Sequence, residues 1–206
     1  MPNLQAARYA ARGAVARWFE EPASLALARI GFTPNLATLA GLLLAGAAAY
    51  WAAVGEFLIA GVFVAAGSTF DMLDGGIARR TGRVSKRGAL LDSVADRVAE
   101  GLVLLGLLIY FSNPATFSRT GVILAFVALA GSLMVSYVRA RAEGLGYKGT
   151  AGFLTRPERV VITTVSLLLG YPLAALWILA VGTPLSALHR FWAEWRTAGR
   201  ENEAND

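Results

Sequence analysis

Phe70-Asp71-Met72-Leu73-Asp74-Gly75-Gly76-Ile77-Ala78-Arg79, then a basic loop, then Gly88-Ala89-Leu90-Leu91-Asp92-Ser93-Val94-Ala95-Asp96-Arg97, sets four aspartates inside or at the ends of two otherwise apolar segments. Asp71 and Asp74 stand three positions apart and Asp92 and Asp96 four, so on helices each pair projects from one face. A charged side chain at the centre of a bilayer costs at least ~2.5–3.5 kcal/mol on insertion scales, so such residues usually face a polar cavity and carry function.

The surrounding chain makes the membrane setting plain. Of 206 residues, 56% are hydrophobic and only 16% charged, and the mean hydropathy is +0.53, which excludes an ordinary soluble domain. Apolar runs near the ~20 residues that cross ~30 Å of hydrocarbon lie at about 36–54, 57–78, 89–111, 121–141, 159–170 continuing toward 172, and 172–189. The last two are divided by the turn signal Gly170-Tyr171-Pro172. Six spans put both termini on one side, and basic residues test this because cytoplasmic loops carry the Lys and Arg excess. With the N-terminus inside, Arg119 alone of the 19 Lys and Arg residues falls outside. The predicted fold is all-α, a polytopic membrane protein with six transmembrane helices and an N-terminal interfacial amphipathic helix. It is expected in the cell membrane as a multi-pass protein, with its functional loops facing the cytoplasm.

Within residues 1–30 no run is long enough to cross. Leu4, Ala7, Ala11, Val15 and Trp18 recur at three- and four-residue intervals between Arg8, Arg12 and Arg17, the pattern of a helix lying at the interface. The segment lacks the apolar core and cleavage site of a signal peptide and is expected to be retained. Residues 31–195 form the six-helix domain. Residues 196–206 form a polar C-terminal tail, expected to be disordered from Glu201 to Asp206.

Four converging carboxylates repel, so a cation is shared or some of them are protonated. The absence of cysteine and the single histidine, His189, exclude disulfides, thiolate metal sites, a cysteine nucleophile and any multi-histidine zinc site. Hard oxygen ligands select Mg²⁺, with Mn²⁺ as the alternative. Magnesium commonly joins carboxylates to a substrate phosphate, and two ions in one site clamp the attacking and leaving oxygens of a phosphoryl transfer. The 19 to 14 excess of basic over acidic residues fits an anionic lipid or a phosphorylated substrate, while the hydropathy argues against nucleic acid. Gly75, Gly76 and Gly88 would each cost about 1 kcal/mol in a helix interior. Close approach of a ligand accounts for them, and so does ordinary glycine packing between membrane helices.

The pattern Asp71-x2-Asp74-Gly75-x2-Ala78-Arg79-x8-Gly88-x3-Asp92-x3-Asp96 resembles, at every specified position, the signature of the CDP-alcohol phosphatidyltransferase family, and the predicted six spans agree with that family's topology. The resemblance covers nearly the whole chain. It implies transfer of a phosphatidyl-type group from a CDP-linked lipid to an alcohol, with release of CMP. It further implies that Asp71, Asp74, Asp92 and Asp96 hold two Mg²⁺ ions, that Asp96 is also the general base, and that Gly75, Ala78 and Arg79 approach the cytidine diphosphate. Thr33-Pro34-Asn35-Leu36-Ala37-Thr38 resembles a family segment that helps enclose the nucleotide, which adds Asn35 and Thr38. Thr33 or Asn35 read equally as a helix cap with Pro34 in the first turn. Ser85 is a further nucleotide-contact candidate.

The loop Ser136-Tyr137-Val138-Arg139-Ala140-Arg141, with Arg156-Pro157-Glu158-Arg159 beyond it, is similar to the branch of the family that makes phosphatidylinositol phosphate, or its archaeal-lipid equivalent, from inositol 1-phosphate. That likeness implies that Arg139, Arg159 and Arg190 bind the acceptor's phosphate, for which planar guanidinium groups are suited. Arg139 departs mildly from the lysine common at its position. The bland alternative is that these arginines anchor helix ends to anionic membrane lipids. Glycerol 3-phosphate, the acceptor of a phosphatidylglycerophosphate synthase, is the rival and needs similar charge. A small cation transporter would use the same aspartates as an ion path, but it leaves the Gly/Ala/Arg pattern unexplained and no inverted repeat is visible. The resemblance also implies a homodimer, with Gly101, Gly106, Gly121 and Gly131 available to pack helices within or between subunits. Trp51, Trp177, Trp192 and Trp195 read as interfacial anchors, and Glu100 as a partner for an arginine on its helix face.

Overall fold

The computed structural model describes residues 20–205 except 148 and 150, and all regular structure among them is helical. Seven helices follow in order: α1 (Glu21–Arg29), α2 (Pro34–Ala53), α3 (Phe57–Thr81), α4 (Lys86–Ser112), α5 (Arg119–Gly144), α6 (Arg156–Leu168) and α7 (Pro172–Asn205). The first five apolar runs read from the sequence match α2 to α6 to within about a turn. The sixth is overrun: α7 continues through the polar end to Asn205, where composition alone predicts disorder. The amphipathic pattern from Leu4 to Trp18 lies outside the described residues.

Among the described residues four helices are long and apolar enough to cross a membrane, over Pro34–Ala53, Phe57–Thr81, Arg119–Gly144 and Pro172–Arg200. The other two predicted spans depart for different reasons. The 27 residues of α4 are ample in length, but the stretch from its start to Glu100 carries Lys86, Arg87, Asp92, Asp96, Arg97 and Glu100 itself. The 13 residues of α6 rise only about 20 Å at 1.5 Å each. The predicted turn after α6 is a Schellman stop: Gly170 takes φ 76°, its N–H reaches Leu167 O at 3.0 Å and the Tyr171 N–H reaches Ser166 O at 2.8 Å. Pro172 then opens α7 where no helical N–H is required.

Two compact units are distinguished by contact density. One comprises the described residues of Met1–Ala45 and Ala65–Ala99, the other those of Gly46–Val64 and Glu100–Asp206. In the first, α2 and α3 cross at a glycine pair: a β-carbon on Gly41 would lie 3.1 Å from Gly67 O, and one on Gly67 3.1 Å from Gly41 O. This contact lies one turn ahead of Asp71, whose backbone N would be 3.7 Å from the same Gly41 β-carbon.

The second unit holds a core of small and branched side chains, including Ala48, Ala52, Leu104, Leu107, Leu124, Leu167, Leu176 and Leu179. Phe57 and Tyr110 meet edge-on with centroids 4.8 Å apart. The glycines weighed for packing within or between subunits are used within: Gly106 faces Ala49, Gly121 faces the Phe111 ring, Gly131 faces Thr183 and Pro184, and Gly101 faces Leu129. Lipid tails give helices no hydrophobic reason to associate, so close backbone approach through small residues supplies the attraction instead. Leu43, Leu58, Phe126 and Trp177 remain exposed, as do Trp192 and Trp195, while Trp51 packs against the core.

The one of these approaches that is made to a neighbouring backbone gives a test. A β-carbon on Gly106 would meet the Ala49 backbone, with Cα at 2.9 Å, whereas Gly46 on the partner helix has nothing within 4 Å. Gly106→Ala is expected to cost on the order of 1–3 kcal/mol through backbone displacement, and Gly46→Ala to be neutral or slightly stabilising. Thermal unfolding of the two variants in the same detergent checks the contrast.

Candidate active site

Within the first unit, α3 and α4 bring Asp71, Asp74 and Asp92 together, so that one carboxylate oxygen of each lies within 4.8 Å of the others. Asp74 is buried. Its Oδ2 accepts a hydrogen bond from Thr38 Oγ1 at 2.7 Å, and that hydroxyl also lies 3.2 Å from Pro34 O. Thr38 thereby fixes the orientation of the Asp74 carboxylate from α2. Asp96 is half-buried one turn beyond Asp92 on α4 and lies outside the three-carboxylate group. The donor set is all hard oxygen on helical backbones, which fits Mg²⁺ or Mn²⁺ and no softer ion.

The residues expected around the nucleotide divide. Asn35 is exposed in the first turn of α2, with Oδ1 3.9 Å from the position of a β-carbon on Gly88, so α2 and the start of α4 face each other there. Thr33 is the cap of α2, its Oγ1 accepting from Leu36 N at 3.3 Å. Ser85 caps α4, its Oγ accepting from Gly88 N at 3.0 Å. Gly75 makes room for Arg79, whose Nη1 would be 3.3 Å from a β-carbon there. The Arg79 guanidinium also pairs through Nη2 with Glu20. Ala78 is half-buried on the same turn.

The three arginines expected to bind the acceptor's phosphate all lie in the second unit, and Arg190 feels the charge of Arg139 and Arg159 and, with opposite sign, that of Glu143 and Glu194. Arg159, 2% exposed, grips Glu100 with both ends of its fork, Nε to Oε1 at 2.6 Å and Nη2 to Oε2 at 2.7 Å, and donates to Leu154 O at 3.2 Å. Arg190, 3% exposed, donates to two neutral carbonyls, those of Val135 at 2.8 Å and Ala151. Arg139 is exposed and bound to Glu143 one turn on at 2.8 Å. The segment 151–154 is tied to α7 by Ser186, whose buried Oγ accepts from the N–H groups of Phe153 and Leu154, both at 3.2 Å.

A family model described as CDP-alcohol phosphatidyltransferase matches residues 32–192. The chain belongs to this family. It is 33% identical over 202 residues to the phosphatidylinositol phosphate synthase of Mycobacterium tuberculosis, covering 93% of this chain and 92% of that one. It is 36% identical over 163 residues to the archaetidylinositol phosphate synthase of Methanothermobacter thermautotrophicus, covering 79% and 80%. Crystal structures of the mycobacterial synthase superpose with a TM-score of 0.77 in complex with manganese and citrate, at 32% identity over 86% of this chain and 89% of that one. The form with CDP-DAG bound gives the same TM-score of 0.77, at 30% identity over 86% and 94%. This chain is therefore a transferase of phospholipid biosynthesis, a multi-pass membrane CDP-alcohol phosphatidyltransferase whose aspartate cluster suits divalent cations.

Sequence reasoning gave Glu100 an arginine as its helix-face partner, and the structure supplies Arg159 of α6, 59 positions on. It missed Ser186 and Glu20 altogether, since a lone serine or glutamate carries no spacing that points to its partner. The buried Glu100–Arg159 pair gives the transferase a second test. Truncating one member leaves the other charge buried and uncompensated, so Glu100→Ala is expected to cost about 3–5 kcal/mol, and the double change to leucine at both positions to recover most of it. Denaturant unfolding of single and double variants measures both.

Proposed function

We propose that the chain transfers the phosphatidyl-type group of CDP-diacylglycerol, or of its archaeal ether-lipid counterpart, to inositol 1-phosphate, releasing CMP and leaving phosphatidylinositol phosphate. It acts as a homodimer with six spans per subunit, the active site facing the cytoplasm. The observation that carries the choice of acceptor is Arg190: a buried guanidinium whose hydrogen bonds go to the neutral carbonyls of Val135 and Ala151, which leaves its positive charge for a phosphorylated acceptor to meet. Free inositol brings no anion to such a place, and serine only a carboxylate balanced by its own ammonium group. The names of the mycobacterial and archaeal relatives support the same acceptor.

The chain's own residues supply the rest. Asp71, Asp74, Asp92 and Asp96 would hold two Mg²⁺ ions, which when bound neutralise the diphosphate of the CDP-lipid. Asp96 takes the proton of the attacking inositol hydroxyl as the new oxygen–phosphorus bond forms and the bond to CMP breaks. Arg79 lies along one phosphate from its place over Gly75, and Thr38 keeps Asp74 aimed. Arg139, Arg159 and Arg190 hold the acceptor's phosphate, Arg159 being fixed by its bond to Glu100. Asn35 and Ser85 stand at the helix starts nearest the nucleotide, where Ser85 also serves as a cap.

Purified protein offered CDP-diacylglycerol with inositol 1-phosphate, free inositol, glycerol 3-phosphate or serine in separate reactions is expected to release CMP with the first alone. Turnover confined to glycerol 3-phosphate would overturn the acceptor and leave the reaction class standing. Asp96→Asn is expected to lower kcat by about 10²–10⁴-fold, the usual worth of a positioned base. Chelation of divalent cations is expected to abolish CMP release, with Mg²⁺ or Mn²⁺ restoring it.

A further inference from the structure

The two glycines after Asp74 serve different neighbours, and together they seat α1 on the active-site end of α3. A β-carbon at Gly76 would collide with Ser24 Oγ and come within 3.2 Å of Glu20 Oε1. Ser24 is fully buried, its hydroxyl 3.4 Å from the carbonyl oxygen of Leu73, the residue before Asp74. Glu20 stands one turn earlier, at the head of α1, where its carboxylate receives Arg79 Nη2. A longer contact of 3.8 Å runs beside it from Arg80 Nη2 to Glu21 Oε2. The Arg79 side chain is 65% exposed and that of Glu20 only 16%, so the acid is the fixed member and the arginine the one that needs holding. With Nη1 over Gly75 and Nη2 on Glu20, the guanidinium is folded back along its own helix.

We infer that Glu20 is a positioning residue for Arg79. It keeps the guanidinium over Gly75, ready for the diphosphate of the CDP-lipid, and this rests on reading Arg79 as a phosphate ligand. A long arginine side chain that must be ordered at the moment of binding weakens that binding, whereas one already ordered does not. The bond to Glu20 takes one of the five N–H donors of a guanidinium and leaves the fork able to meet a phosphate. If the pair only fastened α1 to α3, it would be an exposed ion pair of small worth to stability and none to substrate affinity.

The two roles separate in steady-state kinetics of the full-length enzyme in lipid nanodiscs, with CMP release followed while CDP-diacylglycerol is varied. Glu20→Gln is expected to raise the KM for CDP-diacylglycerol roughly three- to ten-fold, the scale of one charge-assisted contact. The values of kcat, of KM for inositol 1-phosphate and of Tm should stay close to those of the parent. Glu20→Asp should fall between the two, and should Glu20→Gln not be recovered folded, Glu20→Asp carries the comparison alone. In an Arg79→Gln background the Glu20 change is expected to add nothing. If Arg79→Gln raises that KM and Glu20→Gln leaves it unchanged or lowers it, the positioning role is overturned and the phosphate role of Arg79 stands. If Arg79→Gln has no effect on it, the phosphate reading itself falls, and the role of Glu20 with it.

Discussion

Three carboxylates whose oxygens lie within 4.8 Å of one another, on helices that must also be apolar, set the problem that the rest of the first unit solves. Each such pair of unit charges repels by about 3–4 kcal/mol at an effective dielectric near 20. The chain meets this by limiting how far the group can relax apart. The aspartates sit on two long helices rather than on loops, the Gly41–Gly67 crossing brings the α2 backbone against α3 just ahead of Asp71, and Thr38 ties Asp74 to α2. A cluster so confined is poorly arranged for an unliganded protein and well arranged for one that binds divalent cations. Binding strength that the fold invests in repulsion reappears as affinity for the ion.

Glycine is the means of confinement in both units, for a reason particular to membranes. With no hydrophobic gain from leaving lipid for protein, helices are held by close contact and by hydrogen bonds. Gly106 against Ala49, Gly131 against Thr183, and Gly76 against Ser24 each bring a backbone to a distance that any side chain would prevent. Gly75 belongs to the same economy of space but serves a side chain, the guanidinium of Arg79. Of these two adjacent glycines, Gly76 thus serves helix packing and Gly75 makes room for a side chain.

What the sequence made legible follows from periodicity. Apolar runs with charged or turn-forming ends place α2 to α6 to within about a turn, and i, i+3 and i, i+4 spacing puts each aspartate pair on a single helix face. Spacing along one helix says nothing about distances to another, so it could not tell that Asp92 would join Asp71 and Asp74 while Asp96 stood a turn away. A hydroxyl just before a helix reads equally as a cap or as a ligand contact, and Ser85 and Thr33 are found capping. Polar composition at the chain's end suggested disorder, yet α7 runs on to Asn205; helix propensity carried in from an established helix outweighs a short polar stretch. The partners of Arg159 and Arg79 come from 59 positions away in each case, beyond anything local pattern encodes.

The two buried arginines of the second unit are met in different ways, and the difference is what the proposed phosphate-binding role requires. A guanidinium taken out of water is costly unless its charge is met. Arg159 is met by Glu100 in a two-point bond, a closed arrangement that is stable without substrate. Arg190 is met by carbonyl dipoles of Val135 and Ala151, which orient it and temper its charge without cancelling it. If every arginine there had a carboxylate, the fold would be more secure and an incoming phosphate would have to displace an acid. If none had, the positive charge would strain the helices that carry it. One arginine paired with an acid and one bonded only to carbonyls hold the geometry while leaving the second a charge with which to attract an anion, the electrostatic counterpart of the carboxylate cluster in the first unit and its attraction for cations.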